Sequence, residues 1–236
     1  MKIIISILTR SSPYNKYILD LLDYIKKQDL DIDVVVGVNQ TDFYSGHQNN
    51  LKAYSLEDDD VIVFLHDDVK ILSNVNDFCK YLSLCNTRDT GFLCLAGCTF
   101  LGYDGIWWNA RSIGASRGFV FQGKNDISMS ANPFGQHGQI ICGDGCFLAC
   151  SYRTLKKVGL EQPSYLKSGW DFYDIDLTFR AHLMGLNNYT VPIICRHESD
   201  GQMRKEWYDA RQAFLRQYNQ DIPCKLNHDK TGGLPL

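Results

Sequence analysis

The stretch Val61-Ile62-Val63-Phe64-Leu65-His66-Asp67-Asp68-Val69 decides how the rest of the chain is read. Its first five residues are apolar and rich in β-branched side chains, a run short enough for a strand and suited to one buried on both faces. It then turns polar in one step, to a histidine and two adjacent carboxylates. A strand covered on both faces needs helices around it, and the neighbouring sequence supplies them. Upstream lie an Ile-rich strand over 2–8 and a helix with Tyr17, Ile18, Leu21, Leu22 and Ile25 on one face. A Val-dense strand over 32–38 and a second helix over 46–56 follow. Ser12-Pro13 reads as N-cap and first helical residue of the first helix. Downstream, 75–84 reads as a helix and 91–98 as a fourth strand. This alternation predicts an α/β fold with a parallel sheet and right-handed crossovers. Such sheets bind ligands beyond the carboxyl ends of their strands. Thr9-Arg10, Asn39-Gln40 and His66-Asp67-Asp68 stand at those ends.

Composition excludes several function classes. The 236 residues are 44% hydrophobic and 22% charged, ordinary globular usage with enough chain for a sizeable core. Twenty-four basic against 27 acidic residues leave a net charge of −3, so nucleic acid is not expected as a partner. No apolar run reaches the roughly 18–20 residues of a transmembrane span. Met1 to Leu8 is too short for a signal peptide and has no small-residue cleavage site after it. The nine cysteines are odd in number and lie in apolar segments, and Cys142-x3-Cys146-x3-Cys150 is not a structural zinc spacing. Buried reduced thiols, and hence a cytoplasmic location, are expected.

Beyond residue 98 the patterning weakens. Residues 99–140, rich in Gly, Ser and Asn and carrying Trp107-Trp108, read as a long, partly ordered loop region, the kind of segment that is often functional. Order returns in an apolar strand over 140–150 interrupted by Gly143-Asp144-Gly145. A helix over 152–158 follows, then a strong helix over 170–184 that Gly185 terminates. A last strand over 191–195 ends in Arg196-His197, and the tail holds a polar helix over about 203–218.

Four places carry chemistry. Adjacent carboxylates at the end of a buried strand are either a solvated turn or a site neutralised by a cation, for which hard oxygen donors suit Mg2+ or Mn2+ with a diphosphate. In Tyr173-Asp174-Ile175-Asp176-Leu177, Asp174 and Asp176 diverge by about 200° around a helix, so they cannot share a task. Asp176 can pair with Arg180, Asp171 is the expected N-cap, and Asp174 either completes that cap or faces a cleft. His197 is either structural or a ligand. Gly143 and Gly145 either admit a ligand close to the backbone or mark a bulge.

Taken in order, these segments resemble family 2 glycosyltransferases of the GT-A fold, inverting enzymes that use nucleotide sugars. The resemblance spans about residues 2–200. It rests on the opening strand, the variant His66-Asp67-Asp68-Val69 of the family's Asp-x-Asp motif, and Cys142-Gly143-Asp144-Gly145-Cys146-Phe147-Leu148. Its most specific part is Tyr173-Asp174-Ile175-Asp176-Leu177 with Arg180 and Gly185, similar to the family's Glu-Asp-x-Asp-Leu…Arg…Gly segment. Two positions depart: His66 replaces the first Asp of Asp-x-Asp, and Tyr173 replaces the Glu of the Glu-Asp pair.

The resemblance implies a Rossmann-like, mostly parallel central sheet flanked by helices, with a smaller mixed acceptor-side half. Residues 1–98 would form the nucleotide-binding half, 99–200 the acceptor-binding and catalytic half, and 201–236 a helical tail. It implies a nucleoside-diphosphate sugar donor, UDP-linked by expectation, and a glycan, lipid-linked or protein acceptor. It further implies Asp174 as catalytic base and Asp68 with His197 as ligands of Mn2+ or Mg2+. Thr9, Arg10 and Asn39 would hold the nucleoside, Asp67 the ribose, and Asp144 the donor sugar or acceptor. Trp107 and Trp108 either stack on a sugar or pack the loop. The rival from another class is a catalytically inactive nucleotide-sugar-binding module of the same fold. A dinucleotide enzyme is disfavoured because Thr9-Arg10-Ser11-Ser12-Pro13 lacks the Gly-x-Gly-x-x-Gly turn. A haloacid-dehalogenase-like phosphatase is disfavoured because His66 stands where its nucleophilic Asp belongs.

Overall fold

A computed structural model describes residues 1–26, 31–124, 127–199, 201, 203–226 and 234. The chain opens with β1 (Ile3–Thr9), α1 (Lys16–Lys26), β2 (Ile32–Val38), α2 (Phe43–Leu51) and β3 (Val61–His66). It continues through β4 (Val69–Ile71), α3 (Val75–Leu82), β5 (Thr90–Cys94), β6 (Ala96–Cys98) and β7 (Phe100–Leu101). The middle holds β8 (Ser116–Gln122), β9 (Ser130–Gly135), β10 (Gly138–Ile140), β11 (Cys142–Gly143) and β12 (Phe147–Ser151). Then come α4 (Tyr152–Val158), α5 (Tyr173–Leu183), β13 (Asn187–Thr190), β14 (Cys195–His197), α6 (Lys205–Gln217) and β15 (Cys224–Lys225).

The central sheet has seven strands in the order β10-β13-β5-β12-β3-β1-β2. All but β10 and β12 run in one sense, so the sheet is mostly parallel. It is buried on both faces, as the Ile-rich first strand requires. Ile3, Ile5 and Ile7 join one apolar cluster, while Ile4 joins the other with Ile62 and Phe64. Side chains that alternate across a strand feed both layers when helices cover both faces.

Several expectations need correction. The fourth predicted strand, 91–98, is two strands: β5 stays in the central sheet and β6 crosses into a second one. The sheet is not wholly parallel, because β12 inserts between β3 and β5 antiparallel to both. An uninterrupted apolar run has the same composition in either direction, so the sequence holds no sign of its sense. Residues 99–140 are not mainly loop. They contain a 3-10 segment, Trp107–Ile113, and the two longest strands, β8 and β9, of a six-stranded sheet ordered β11-β6-β8-β14-β4, with β9 paired to β8. The first helix starts at Lys16, not at Ser12-Pro13. Asn15 caps it, its Oδ1 accepting from the backbone N–H of Tyr17 and Ile18 at 3.0 and 3.1 Å. The predicted strand over 191–195 is mostly the link between β13 and β14: 191–194 lie outside both strands, and only Cys195 belongs to β14.

The helix α6 packs against α5. Phe214 is fully buried, with its ring 5.5 Å from Phe172, 5.6 Å from Phe179 and 4.9 Å from Tyr218. Phe214→Ala is therefore expected to cost about 3–5 kcal/mol of stability, read as a lower urea midpoint at unchanged slope. A loss below about 1 kcal/mol would mean that this contact does not hold the helix. Asp176 reinforces the same seam. Buried completely, it accepts from Arg180 Nε at 2.8 Å, from the Tyr218 hydroxyl at 3.3 Å, and from the Tyr165 hydroxyl. Burial raises its pKa, against the opposing Arg180 charge. The i,i+4 pairing read from the sequence thus serves structure.

Candidate active site

Parallel strands bring β1, β2 and β3 to a common carboxyl edge, with Leu8 beside His66 and Thr9 beside Val38. The antiparallel sense of β12 now matters. Phe147 pairs with Leu65, so the turn preceding β12 emerges where β3 ends. There the His66 N–H donates to the Cys146 carbonyl at 3.1 Å. From the other side, β14 pairs antiparallel to β4 with His197 opposite Val69. The Glu198 N–H donates to the Asp68 carbonyl at 3.1 Å. Backbone hydrogen bonds thus hold together segments far apart in the chain.

Around this edge, His66, Asp68 and His197 each present a donor atom, all within 4.8 Å of one another. Asp68 Oδ1 lies 3.2 Å from His197 Nε2 and 3.9 Å from His66 Nδ1, and the two imidazole nitrogens are 3.4 Å apart. Neighbouring donors on an ion with bonds of about 2.1 Å sit roughly 3 Å apart, so the triangle fits a divalent cation. Two imidazoles and a carboxylate suit Mn2+ as well as softer ions. The side chains of His66, Asp68 and His197 are 40, 24 and 11% exposed, leaving one side of the group open. Burial works to raise the Asp68 pKa, but His197, His66 and the Ser199 contact outweigh it and hold the carboxyl well below its usual range. Burial and the His197 charge lower the pKa of His66, so its neutral form is favoured.

The turn 143–146 carries the other half. Gly145 N–H donates to Asp174 Oδ2 at 3.0 Å, and the Cys146 N–H donates to Asp144 Oδ1 at 2.9 Å. Asp174 is half-buried in the first turn of α5. Burial, then the Asp144 charge, push its pKa up to about 7, against backbone N–H groups including that of Gly145. A side chain on Gly145 would bring Cβ to 2.6 Å from the Tyr173 hydroxyl and 2.8 Å from Asp174 Cβ, so only glycine permits this approach. The expected cap at Asp171 is not formed: its carboxylate accepts from the Ser168 hydroxyl at 2.6 Å. The N-cap position falls to Phe172, whose φ of 65° is left-handed and whose side chain makes no capping bond. Tyr173 stacks on Phe43 with ring centroids 3.8 Å apart, and its hydroxyl lies 2.5 Å from His66 Nε2. The two positions that depart from the glycosyltransferase pattern are therefore in contact. In the sequence His66 reads as a lost carboxylate, yet a His-x-Asp pair at a strand end is itself a donor pattern.

Of the other residues singled out, the Thr9 hydroxyl donates to the Asp67 carboxylate at 2.5 Å, and the Asn39 N–H donates to the Thr9 carbonyl at 2.9 Å. Asn39 has a left-handed φ of 53° and is exposed, as is Arg10, on the rim of the same edge. Trp107 is buried against Trp108 and Phe134 and packs the second sheet. Half-buried Trp108 lines a cavity of about 820 Å³ with Tyr103, Asp104, Asn109 and Arg111. That cavity shares no lining residue with the His66 group. No helix among the described residues is long and apolar enough to cross a membrane.

The sequence profile of the Glycosyltransferase like family matches residues 4–221. No curated protein matches the chain in sequence. Among solved structures, GalNAc-T7 with UDP, GalNAc and Mn2+ is similar at a TM-score of 0.52 and 12% identity, covering 92% of this chain and 47% of that one. The chain thus spans about half the length of that protein. TarS 1-349 from S. aureus gives a TM-score of 0.49 at 12% identity over 98% of this chain and 77% of that one. A197 from STIV gives 0.42 at 15% identity over 81% and 82%.

Proposed function

The chain belongs to the glycosyltransferase-like family, and from that premise we propose that it transfers a sugar from a nucleoside-diphosphate sugar to an acceptor hydroxyl with inversion, using a divalent cation. One observation carries the reading. A half-buried carboxylate, Asp174, and a three-donor group, His66, Asp68 and His197, are linked through Gly145 and Tyr173 into one site. The crystallised GalNAc-T7, which has a similar fold, contains UDP and Mn2+, and this supports a UDP-linked donor and Mn2+ here.

Two obstacles oppose the reaction. The leaving diphosphate gathers negative charge, and the acceptor alcohol is a weak nucleophile. A divalent ion held by Asp68, His197 and His66 would neutralise charge on the phosphates. Thr9, Arg10 and Asn39 would hold the nucleoside, with Asp67 on the ribose, its carboxylate oriented by the Thr9 hydroxyl. Asp144 would face the donor sugar or acceptor. Asp174 would take the acceptor proton as the new bond forms, oriented by the Gly145 N–H. Attack opposite the leaving group inverts the anomeric carbon. A glycan, a lipid-linked sugar or a protein side chain could supply the alcohol.

The base predicts a pH dependence. An Asp174 pKa of about 7 lies above the ordinary carboxylate value, so the proton stays on at acidic pH and the base is blocked. kcat/KM should rise with pH along an acidic limb whose midpoint is at or below about 7, since a bound cation favours ionisation. A flat profile across that range would count against Asp174 as base. The activity itself is tested by following UDP release from a panel of UDP-sugars with and without Mn2+. Metal-dependent release supports a transferase. Tight UDP-sugar binding without release supports the inactive binding module.

A further inference from the structure

We infer that Tyr173 is a positioning residue: with the Gly145 carbonyl, its hydroxyl fixes the tautomer of His66 that offers Nδ1 as third donor to the cation. This rests on the metal-dependent reading above and deepens it. A neutral imidazole carries one proton, on one of two nitrogens. His66 Nδ1 faces His197 Nε2 and Asp68 Oδ1, at 3.4 and 3.9 Å, while Nε2 faces the Tyr173 hydroxyl at 2.5 Å. Nδ1 has a free lone pair only when the proton sits on Nε2, and the Tyr173 oxygen must then accept that N–H.

A hydroxyl that accepts still has its own proton to place. The Gly145 carbonyl, 3.3 Å away, takes it. The chain therefore runs from His66 Nε2–H to Tyr173 O, and from Tyr173 O–H to the Gly145 carbonyl. Without that carbonyl the phenol would donate to Nε2 instead, leaving the proton on Nδ1 and closing it as a donor. Each member is held in place. The Tyr173 ring is buried and stacked on Phe43 at an interplanar angle of 14°. Gly145 is tied to Asp174 by its N–H. The same residue thus orients the base through its N–H and steadies Tyr173 through its carbonyl. Histidine at 66 and tyrosine at 173 form one functional pair, each explaining the other.

The test is a double-mutant cycle on the full chain, with Mn2+ alone titrated by calorimetry. Partners that orient a metal-bound histidine typically contribute 10–100-fold to affinity, so Tyr173→Phe is expected to weaken Mn2+ binding by roughly that factor. The variant keeps the stacked ring, and its melting temperature should stay near wild type. Combined with His66→Ala, it should cost nothing further. A loss of less than about twofold, or an equal loss in the His66→Ala background, would overturn the inference. A measurement on the unaltered protein serves if the variant does not fold. With Zn2+ bound, 15N spectra of labelled histidine should show His66 protonated at Nε2 and coordinated at Nδ1, and the opposite tautomer would overturn it. The two readings fail differently. If Asp68→Ala abolishes Mn2+ binding while His66→Ala and Tyr173→Phe bind like wild type, the cation site stands and this inference falls. If the wild type binds no Mn2+, both fall.

Discussion

Replacing Asp174 with asparagine is expected to lower turnover by roughly 10²–10⁴-fold, the range a positioned general base contributes. UDP affinity should change little. The substitution is nearly isosteric, so the Gly145 N–H can keep an oxygen acceptor and the first turn of α5 keeps its shape. Only the ability to take a proton is lost. Transfer assays paired with UDP titration separate these effects: reduced kcat with unchanged nucleotide affinity is the expected result. Near-full activity would remove Asp174 from the mechanism. The acidic limb of the pH profile should disappear with the carboxylate. Asparagine also removes a carboxyl that burial and Asp144 disfavour as an anion. The folded state pays to ionise this group as pH rises from the unfolded value through about 7, so the variant should be no less stable than wild type at neutral pH. A fall in stability there would point to lost packing as the cause of low activity.

Asp68→Ala is expected to abolish the metal-dependent part of nucleoside-diphosphate binding, a loss exceeding about 100-fold in the presence of Mn2+. Asp68 is the sole anionic donor of the group, and two neutral imidazoles alone leave the charge of a divalent ion unmatched. Its carboxylate also receives the Ser199 N–H at 3.2 Å, so the alanine variant releases a contact of the 198–199 segment as well. Calorimetry with UDP, with and without Mn2+, distinguishes the two. A wild-type affinity that rises with Mn2+ and a variant affinity that does not is the expected pattern. Equal affinity in all four conditions would remove the cation from donor binding.

Much of this architecture is legible in the sequence, and the reasons differ by element. Val61 to His66 and Ile3 to Thr9 declare themselves because a strand buried on both faces reads as a near-continuous apolar run. Helix α4 is read at its observed bounds, Tyr152–Val158, and the structure adds Ser151 as its side-chain cap. The second sheet is not legible, because β9 is largely exposed and burial does not dictate its residues. The sense of β12 is silent for the opposite reason, since full burial erases alternation. At the site, residue types pointed to a cation and a base, but the partners were hidden. His66 and Tyr173 each looked like a lost carboxylate. Only the antiparallel β12 brings Gly145 to the end of β3 and sets the two side chains in contact. Asp171 shows the limit of local rules: a good capping residue bonds elsewhere when tertiary structure places Phe172 in a left-handed conformation.

The proposed transfer requires one cation held beside one base. A crystal structure with Mn2+ and UDP, collected at the manganese absorption edge, tests this most directly. The expected result is an anomalous peak touching Asp68, His197 and His66 Nδ1 and the diphosphate oxygens, with Asp174 facing the space beyond the β-phosphate. An ion bound elsewhere, or a diphosphate seated away from both Asp68 and Asp174, would contradict it.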